Sequence, residues 1–299
     1  MRAPGHLLVA VVLAGCQSAL PEAPLRRELA PPPRATEFLV KETTLLDGAV
    51  SIQLNIPLTP SGPKPTVIAL IGDPHQFLGA GFVAVTYSIN REVLKGPPPT
   101  PLPSGQTVGQ WVLASPSAAV LGEHYLRGIA ANATQVVPAI IDWLQTLPDV
   151  DANRIGMTGA STNGFVTLQA VAADRRIRAA TVVAACGDYG DFLRHSSMGL
   201  GGAPLALEPS YERWLHSQEV IAHPRQVVHA AVLMVNRSGD TLIPTSCAEA
   251  TARVLAKAYA RAGVADRFRF VRLEESGHGF GPDEEREMFI WMQTWLTGP

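Results

Sequence analysis

From about residue 66 onward, apolar runs of strand length alternate with stretches whose apolar residues recur at helical spacing. No other feature constrains the fold as tightly. Thr66–Ile71, Gly81–Tyr87, Ala179–Ala185 and Val227–Val235 are nearly continuous apolar runs, fit for strands covered on both faces. Arg154–Thr158 and Phe268–Leu273 read as two further strands. Between them, Val136, Val137, Ile140, Ile141 and Leu144 fall on one helical stripe, and a second helix is expected from about Asn163. A third is expected from Ser246, where Ser246 and Glu249 suggest a capping box, to about Gly263. Met288, Trp291, Met292, Trp295 and Leu296 mark a closing helix whose tryptophans read as core. Near the start, Asp47-Gly48 between two alternating segments predicts a hairpin. Strands alternating with helices imply an α/β fold with a mostly parallel central sheet and helices on both faces. We expect one such domain over residues 37–299, with ligands beyond the carboxyl ends of its strands.

Three polar groups stand at such ends. Gly159-Ala160-Ser161-Thr162-Asn163-Gly164 joins the Arg154–Thr158 strand to the next helix. A serine hydroxyl is a weak nucleophile and must be exposed and set against a base; a tight strand-to-helix turn does this. Asp240 follows the Val227–Val235 run, four residues before Pro244. His278 lies in Glu274-Glu275-Ser276-Gly277-His278-Gly279-Phe280, after the last strand and before the closing helix. The other histidines lack such a setting and read as surface or packing residues.

In this chain order the three motifs resemble those of the α/β-hydrolase family, in particular its dienelactone-hydrolase-like and acetyl-ester-esterase-like branches. The departure is Asn163 where the second elbow glycine normally stands; Gly164, one place later, matches an extra glycine of those branches. The resemblance implies an α/β-hydrolase fold with a short lid at about 187–226, where Phe192, Tyr211, Trp214 and Leu215 line an acyl pocket or simply pack the lid. It implies Ser161 as nucleophile, His278 as base and then acid, and Asp240 as the group orienting His278. It further implies an oxyanion hole made by the backbone N–H groups of Thr162 and, from Ile71-Gly72-Asp73-Pro74, of Asp73; Pro74 has no N–H to offer. The expected reaction is hydrolysis of a small carboxylic ester through an acyl-enzyme. Peptide hydrolysis of the prolyl-oligopeptidase type and a non-catalytic binding module are the alternatives.

The N-terminus reads as an export signal. Arg2 precedes the apolar run Leu7–Leu13, which is too short to span a bilayer. The end of that run, Leu13-Ala14-Gly15-Cys16, resembles the lipobox of bacterial lipoproteins. That resemblance implies a signal peptide over 1–15, lipidation at Cys16, and delivery to the envelope of a Gram-negative bacterium; Gln17 in place of an Asp implies its outer membrane. Residues 16–36 carry Pro21, Pro24 and Pro31-Pro32-Pro33 and read as an extended tether.

Composition removes other classes. With 24 basic against 26 acidic residues there is no excess charge to neutralise nucleic-acid phosphates. A chain that is 46% hydrophobic and only 17% charged is not disordered as a whole. No metal-ligand spacing or phosphate loop occurs, so neither metal nor cofactor is expected. Cys186 and Cys247 remain beside Cys16, either as free thiols or, in an oxidising compartment, as a pair.

Overall fold

In a computed structural model, residues 37–89, 125–197 and 209–298 are described. Cys16, the signal and tether at 1–36, and the part of the expected lid at 198–208 lie outside them.

Eight strands form one sheet in the order β1-β2-β4-β3-β5-β6-β7-β8. They are β1 (Phe38–Leu45), β2 (Val50–Pro57), β3 (Lys64–Ala69), β4 (Val83–Ile89), β5 (Val150–Ala160), β6 (Ile177–Val183), β7 (Ala231–Gly239) and β8 (Phe268–Ser276). β1 and β2 form the expected hairpin, in register Leu45↔Val50, and β2 pairs antiparallel with β4; all later pairings are parallel. The hairpin loop takes left-handed backbone at Leu46, Asp47 and Gly48. β3 lies between β4 and β5, so the strand order reverses there and opens a crevice at the carboxyl ends.

The helices are α1 (Pro74–Gly79), α2 (Arg127–Ala131), α3 (Val137–Leu144), α4 (Thr162–Ala173), α5 (Tyr189–His195), α6 (Pro209–Gln218), α7 (Thr245–Arg261) and α8 (Pro282–Leu296). A π-helical turn, Asn132–Val136, joins α2 to α3. Pro138 explains it: a proline at the second position of α3 has no N–H to return to Thr134, and the wider turn accommodates its ring. The predicted stripe Val136, Val137, Ile140, Ile141 and Leu144 is fully buried. In α8, Met288, Trp291, Met292 and Leu296 are buried as expected, and Trp295 is half-buried against them.

Two elements differ from the sequence reading. The seventh strand begins at Ala231, not Val227. The Tyr259 hydroxyl reaches the carbonyls of both Val227 and Ala230, at 2.8 and 2.9 Å, and these residues form a turn. Nor do Ser246 and Glu249 cap α7, whose N-cap is Pro244. The Ser246 hydroxyl instead donates to Asp191 Oδ2 at 2.8 Å, and Glu249 pairs with Arg253 and Arg272.

Cys186, just beyond β6, and Cys247, in the first turn of α7, are joined by a disulfide with Cα atoms 5.7 Å apart. It ties the segment entering the expected lid region to the helix that follows Asp240.

Candidate active site

The turn from β5 into α4 is shaped by close approach. Ser161 has φ 55° and ψ −125°, a left-handed backbone that a non-glycine residue holds only when its surroundings enforce it. Its N–H donates to Val183 O at 3.0 Å, and its carbonyl accepts from Gly164 and Phe165 N–H. A Cβ on Gly159 would lie 2.2 Å from Asn163 O, and one on Gly164 would lie 2.7 Å from Val183 O. Gly159 therefore lets α4 close onto its own strand, while Gly164 lets it close onto β6. Asn163 needs no such space, because its side chain lines a cavity beside the turn. Thr162 is the first residue of α4, where helical N–H groups have no intrahelical acceptor.

Asp240 and His278 are brought together by the ends of β7 and β8. Gly239 pairs with Ser276 so closely that a Cβ on the glycine would sit 2.8 Å from Ser276 Cα. Gly277, at φ +80°, then donates to Gly239 O at 3.2 Å and turns the chain back over the sheet. The outcome is a 2.8 Å bond between His278 Nδ1 and Asp240 Oδ2. Asp240 Oδ1 accepts from the Leu242 and Ile243 N–H groups at 2.9 and 3.0 Å, so a buried carboxylate has both oxygens engaged. Its side chain is 0% exposed and that of His278 is 23% exposed, which leaves the imidazole reachable from the crevice. Among the described residues the Ser161 hydroxyl makes no hydrogen bond to His278, whose Nδ1 is bonded to Asp240.

Asp73 N-caps α1. Its Oδ1 accepts from His75 N–H at 2.9 Å, so the carboxylate is engaged by its own loop. Gly72 has φ +88°, and a Cβ there would lie 2.4 Å from Met288 Cε. The loop is anchored to β5 by Leu70 N–H to Thr158 O and by the Thr158 hydroxyl to Ile71 O, both at 3.0 Å.

A cavity of about 310 Å³ opens beside Thr162, lined among others by Leu70, Tyr87, Tyr125, Asn132, Asn163 and Val166. The Tyr125 hydroxyl shares a 2.9 Å hydrogen bond with Thr162 Oγ1, and the Tyr87 hydroxyl donates to Asn132 Oδ1 at 2.8 Å. Burial pushes the Tyr125 phenol up to about 12 and raises Tyr87 further, so both hydroxyls stay protonated at neutral pH. Neither tyrosine was expected from the sequence. Tyr87 ended an apolar run, and the π turn that presents Asn132 was signalled only by Pro138. The residues expected to line an acyl pocket or to pack the lid do not line this cavity. Phe192 and Leu215 are buried in the core, while Tyr211 and Trp214 stack at 5.4 Å under the guanidinium of Arg127.

Among the described residues no group of three or more His, Cys, Asp or Glu side chains is arranged to hold a metal ion.

Comparison with known proteins agrees with this architecture. The model of the X-Pro dipeptidyl-peptidase (S15) family matches residues 125–267, which include Ser161 and Asp240. A proposed hydrolase of Bacillus subtilis (strain 168), YtaP, is 26% identical over 156 residues, 52% of this chain and 50% of its own. The chain thus spans about half the length of that curated relative. Among solved structures, the acylaminoacyl peptidase of Pyrococcus horikoshii superposes with a TM-score of 0.60 at 15% identity, over 88% of this chain and 42% of that one. A proposed dienelactone hydrolase from Klebsiella pneumoniae gives 0.56 at 16% identity, over 88% of this chain and 100% of that one. At such identities the likeness is one of fold, and the fold is that of the α/β-hydrolases.

Proposed function

We propose that the protein is a serine hydrolase that cleaves a carboxylic ester through an acyl-enzyme. The observation that carries this reading is the backbone of Ser161, held at φ 55° on the β5–α4 turn. Strain of this kind costs of order 1–3 kcal/mol and persists where a side chain must be presented. The rest of the chemistry follows from groups at the same edge of the sheet. His278 Nε2 takes the Ser161 proton as Oγ attacks the carbonyl carbon. Asp240, bonded to Nδ1, keeps the imidazole in the tautomer that can accept at Nε2 and stabilises the imidazolium that forms. The N–H groups of Thr162 and Asp73 receive the negative charge on the former carbonyl oxygen. His278 then protonates the departing alkoxide. Water, deprotonated by His278, attacks the acyl-enzyme and releases the acid.

The cavity beside Thr162 supports a small acyl or alcohol group with a polar end, because its lining combines apolar side chains with two neutral phenols and the amides of Asn132 and Asn163. The second reading, peptide hydrolysis, is favoured by the match of residues 125–267 to a peptidase family. It uses the same three residues and differs in the leaving group, an amine that must be protonated as it departs. We further propose, from the Leu13-Ala14-Gly15-Cys16 motif, that the chain is anchored to the bacterial envelope through lipid on Cys16.

A fluorophosphonate probe tests the central claim. Labelling that maps to Ser161 and disappears in Ser161→Ala is expected; absence of labelling on folded protein refutes the catalytic reading. Parallel assays with 4-nitrophenyl acetate and with an X-Pro dipeptide anilide then separate esterase from peptidase.

A further inference from the structure

Arg237 lies on β7, three residues before Asp240, and is bound on every side to the elements that carry the acid and the base. Its carbonyl accepts the Asp240 N–H at 3.4 Å. Its guanidinium donates from Nε to Glu284 Oε1 at 2.6 Å, and Nη2 lies 3.1 Å from Glu275 Oε2. Glu284, 1% exposed in the first turn of α8, uses its other oxygen to accept the Gly281 N–H at 3.0 Å. The guanidinium also underlies the loop that holds His278. A Cβ on Gly279 would lie 3.3 Å from Nη1, and one on Gly281 would lie 3.0 Å from Nη2. Glycine at both positions lets the loop settle onto a flat cation. The charged groups acting on Arg237 are Glu284 from α8, Glu275 from β8 and Asp240 from its own turn.

We propose that Arg237, through its ion pair with Glu284, is a positioning residue that holds the 277–281 loop so that His278 Nδ1 stays bonded to Asp240. The pair does not touch the reacting atoms. It fixes the loop from beneath, with a planar fork that engages Glu284 and Glu275 at once while lying flat under the glycines. Lysine could supply the charge but not the fork. A histidine displaced by about 1 Å from its acid and nucleophile loses on the order of 100-fold in rate.

This inference rests on the proposed Ser161–His278–Asp240 chemistry, so its test includes a readout that does not depend on turnover. The Nδ1 proton of His278, shared with Asp240, gives a far-downfield proton resonance, assigned by its loss in His278→Ala. In Arg237→Gln and in Glu284→Gln this resonance is expected to broaden or move upfield. The fluorophosphonate labelling rate and kcat on 4-nitrophenyl acetate should fall about 10- to 100-fold, with KM within about twofold. Arg237→Lys should recover part of each. The double variant should be no worse than either single one, because both remove one interaction. A folded Arg237→Gln with the wild-type resonance and labelling rate overturns the proposal; so does lost labelling with an unchanged resonance, since the effect would not run through the His278–Asp240 bond. If Arg237→Gln does not fold, Gly279→Ala, which presses on the same guanidinium, must give the same two changes or the proposal falls. Wild-type protein that never labels refutes the hydrolase reading, while the resonance still reports on Arg237.

Discussion

Gly159 and Asn163 meet across the β5–α4 turn with no room between them: a single methyl on the glycine would stand 2.2 Å from the Asn163 carbonyl oxygen. The contact is to backbone, so it cannot be relieved by rotating a side chain. Gly159→Ala is expected to destabilise the protein by about 2–3 kcal/mol in urea unfolding and to abolish labelling of Ser161. Gly164→Ala, pressed against Val183 O, should behave alike. Asn163→Ala, which changes only a cavity wall, should cost under about 1 kcal/mol.

Asp240→Asn separates charge from shape. The amide can still accept the Leu242 and Ile243 N–H groups through its oxygen, so the turn should survive. Its NH₂ then faces His278 Nδ1 and selects the tautomer with the proton on Nε2, the wrong one for a base. Thermal unfolding should change little, while kcat on 4-nitrophenyl acetate falls by about 10⁴-fold.

Asp73 contributes two separable groups, a capping carboxylate and a backbone N–H. Asp73→Asn keeps both and should leave kcat within about threefold. Asp73→Ala loses the cap to His75 N–H and should cost about 1 kcal/mol of stability. Asp73→Pro removes the N–H; if that group holds the oxyanion, kcat should drop by about 10²-fold or more. Unchanged kcat in folded Asp73→Pro removes Asp73 from the oxyanion hole.

A stability prediction concerns the far side of the sheet, where Arg176 bonds Asp174, Asp142 and Gln145. Burial raises the Asp174 carboxyl, but hydrogen bonds and charge from Arg176 outweigh it and hold that carboxyl below its usual value. A carboxylate with a depressed folded-state pKa stabilises the protein above its unfolded pKa, near 4, and loses that contribution as pH falls through the lower folded value. Arg176→Ala should therefore cost about 1–3 kcal/mol at pH 7, and distinctly less below pH 3. Urea midpoints measured across that range check it.

The sheet was legible, and Ser161, Asp240 and His278 could be nominated as candidates, for one reason: each reading depends on local sequence. Strand-length apolar runs, a glycine-flanked serine and a glycine-flanked histidine are patterns within a few positions of one another. What escaped depends on partners distant in the chain. Val227–Ala230 is as apolar as a strand, but the Tyr259 hydroxyl claims its carbonyls from α7. Ser246 has the form of a cap, yet bonds Asp191, fifty-five positions away. Arg237 and Glu284 are separated by 47 residues, and nothing near either announces the other. Tyr125 joins the site only because α2 and α4 pack together, with its hydroxyl meeting Thr162.

The Cys186–Cys247 bond has a consequence for the molecule's integrity. Ser161 lies on the N-terminal side of Cys186, whereas His278 lies beyond Cys247. A protease cut anywhere from residue 187 to residue 239 would yield two polypeptides, one with the serine and the other with Asp240 and His278. The sheet pairing of β6 with β7 would hold them together in the native state and the sulfur bridge would hold them once unfolded, so a nicked chain should run as two bands only on a denaturing, reducing gel.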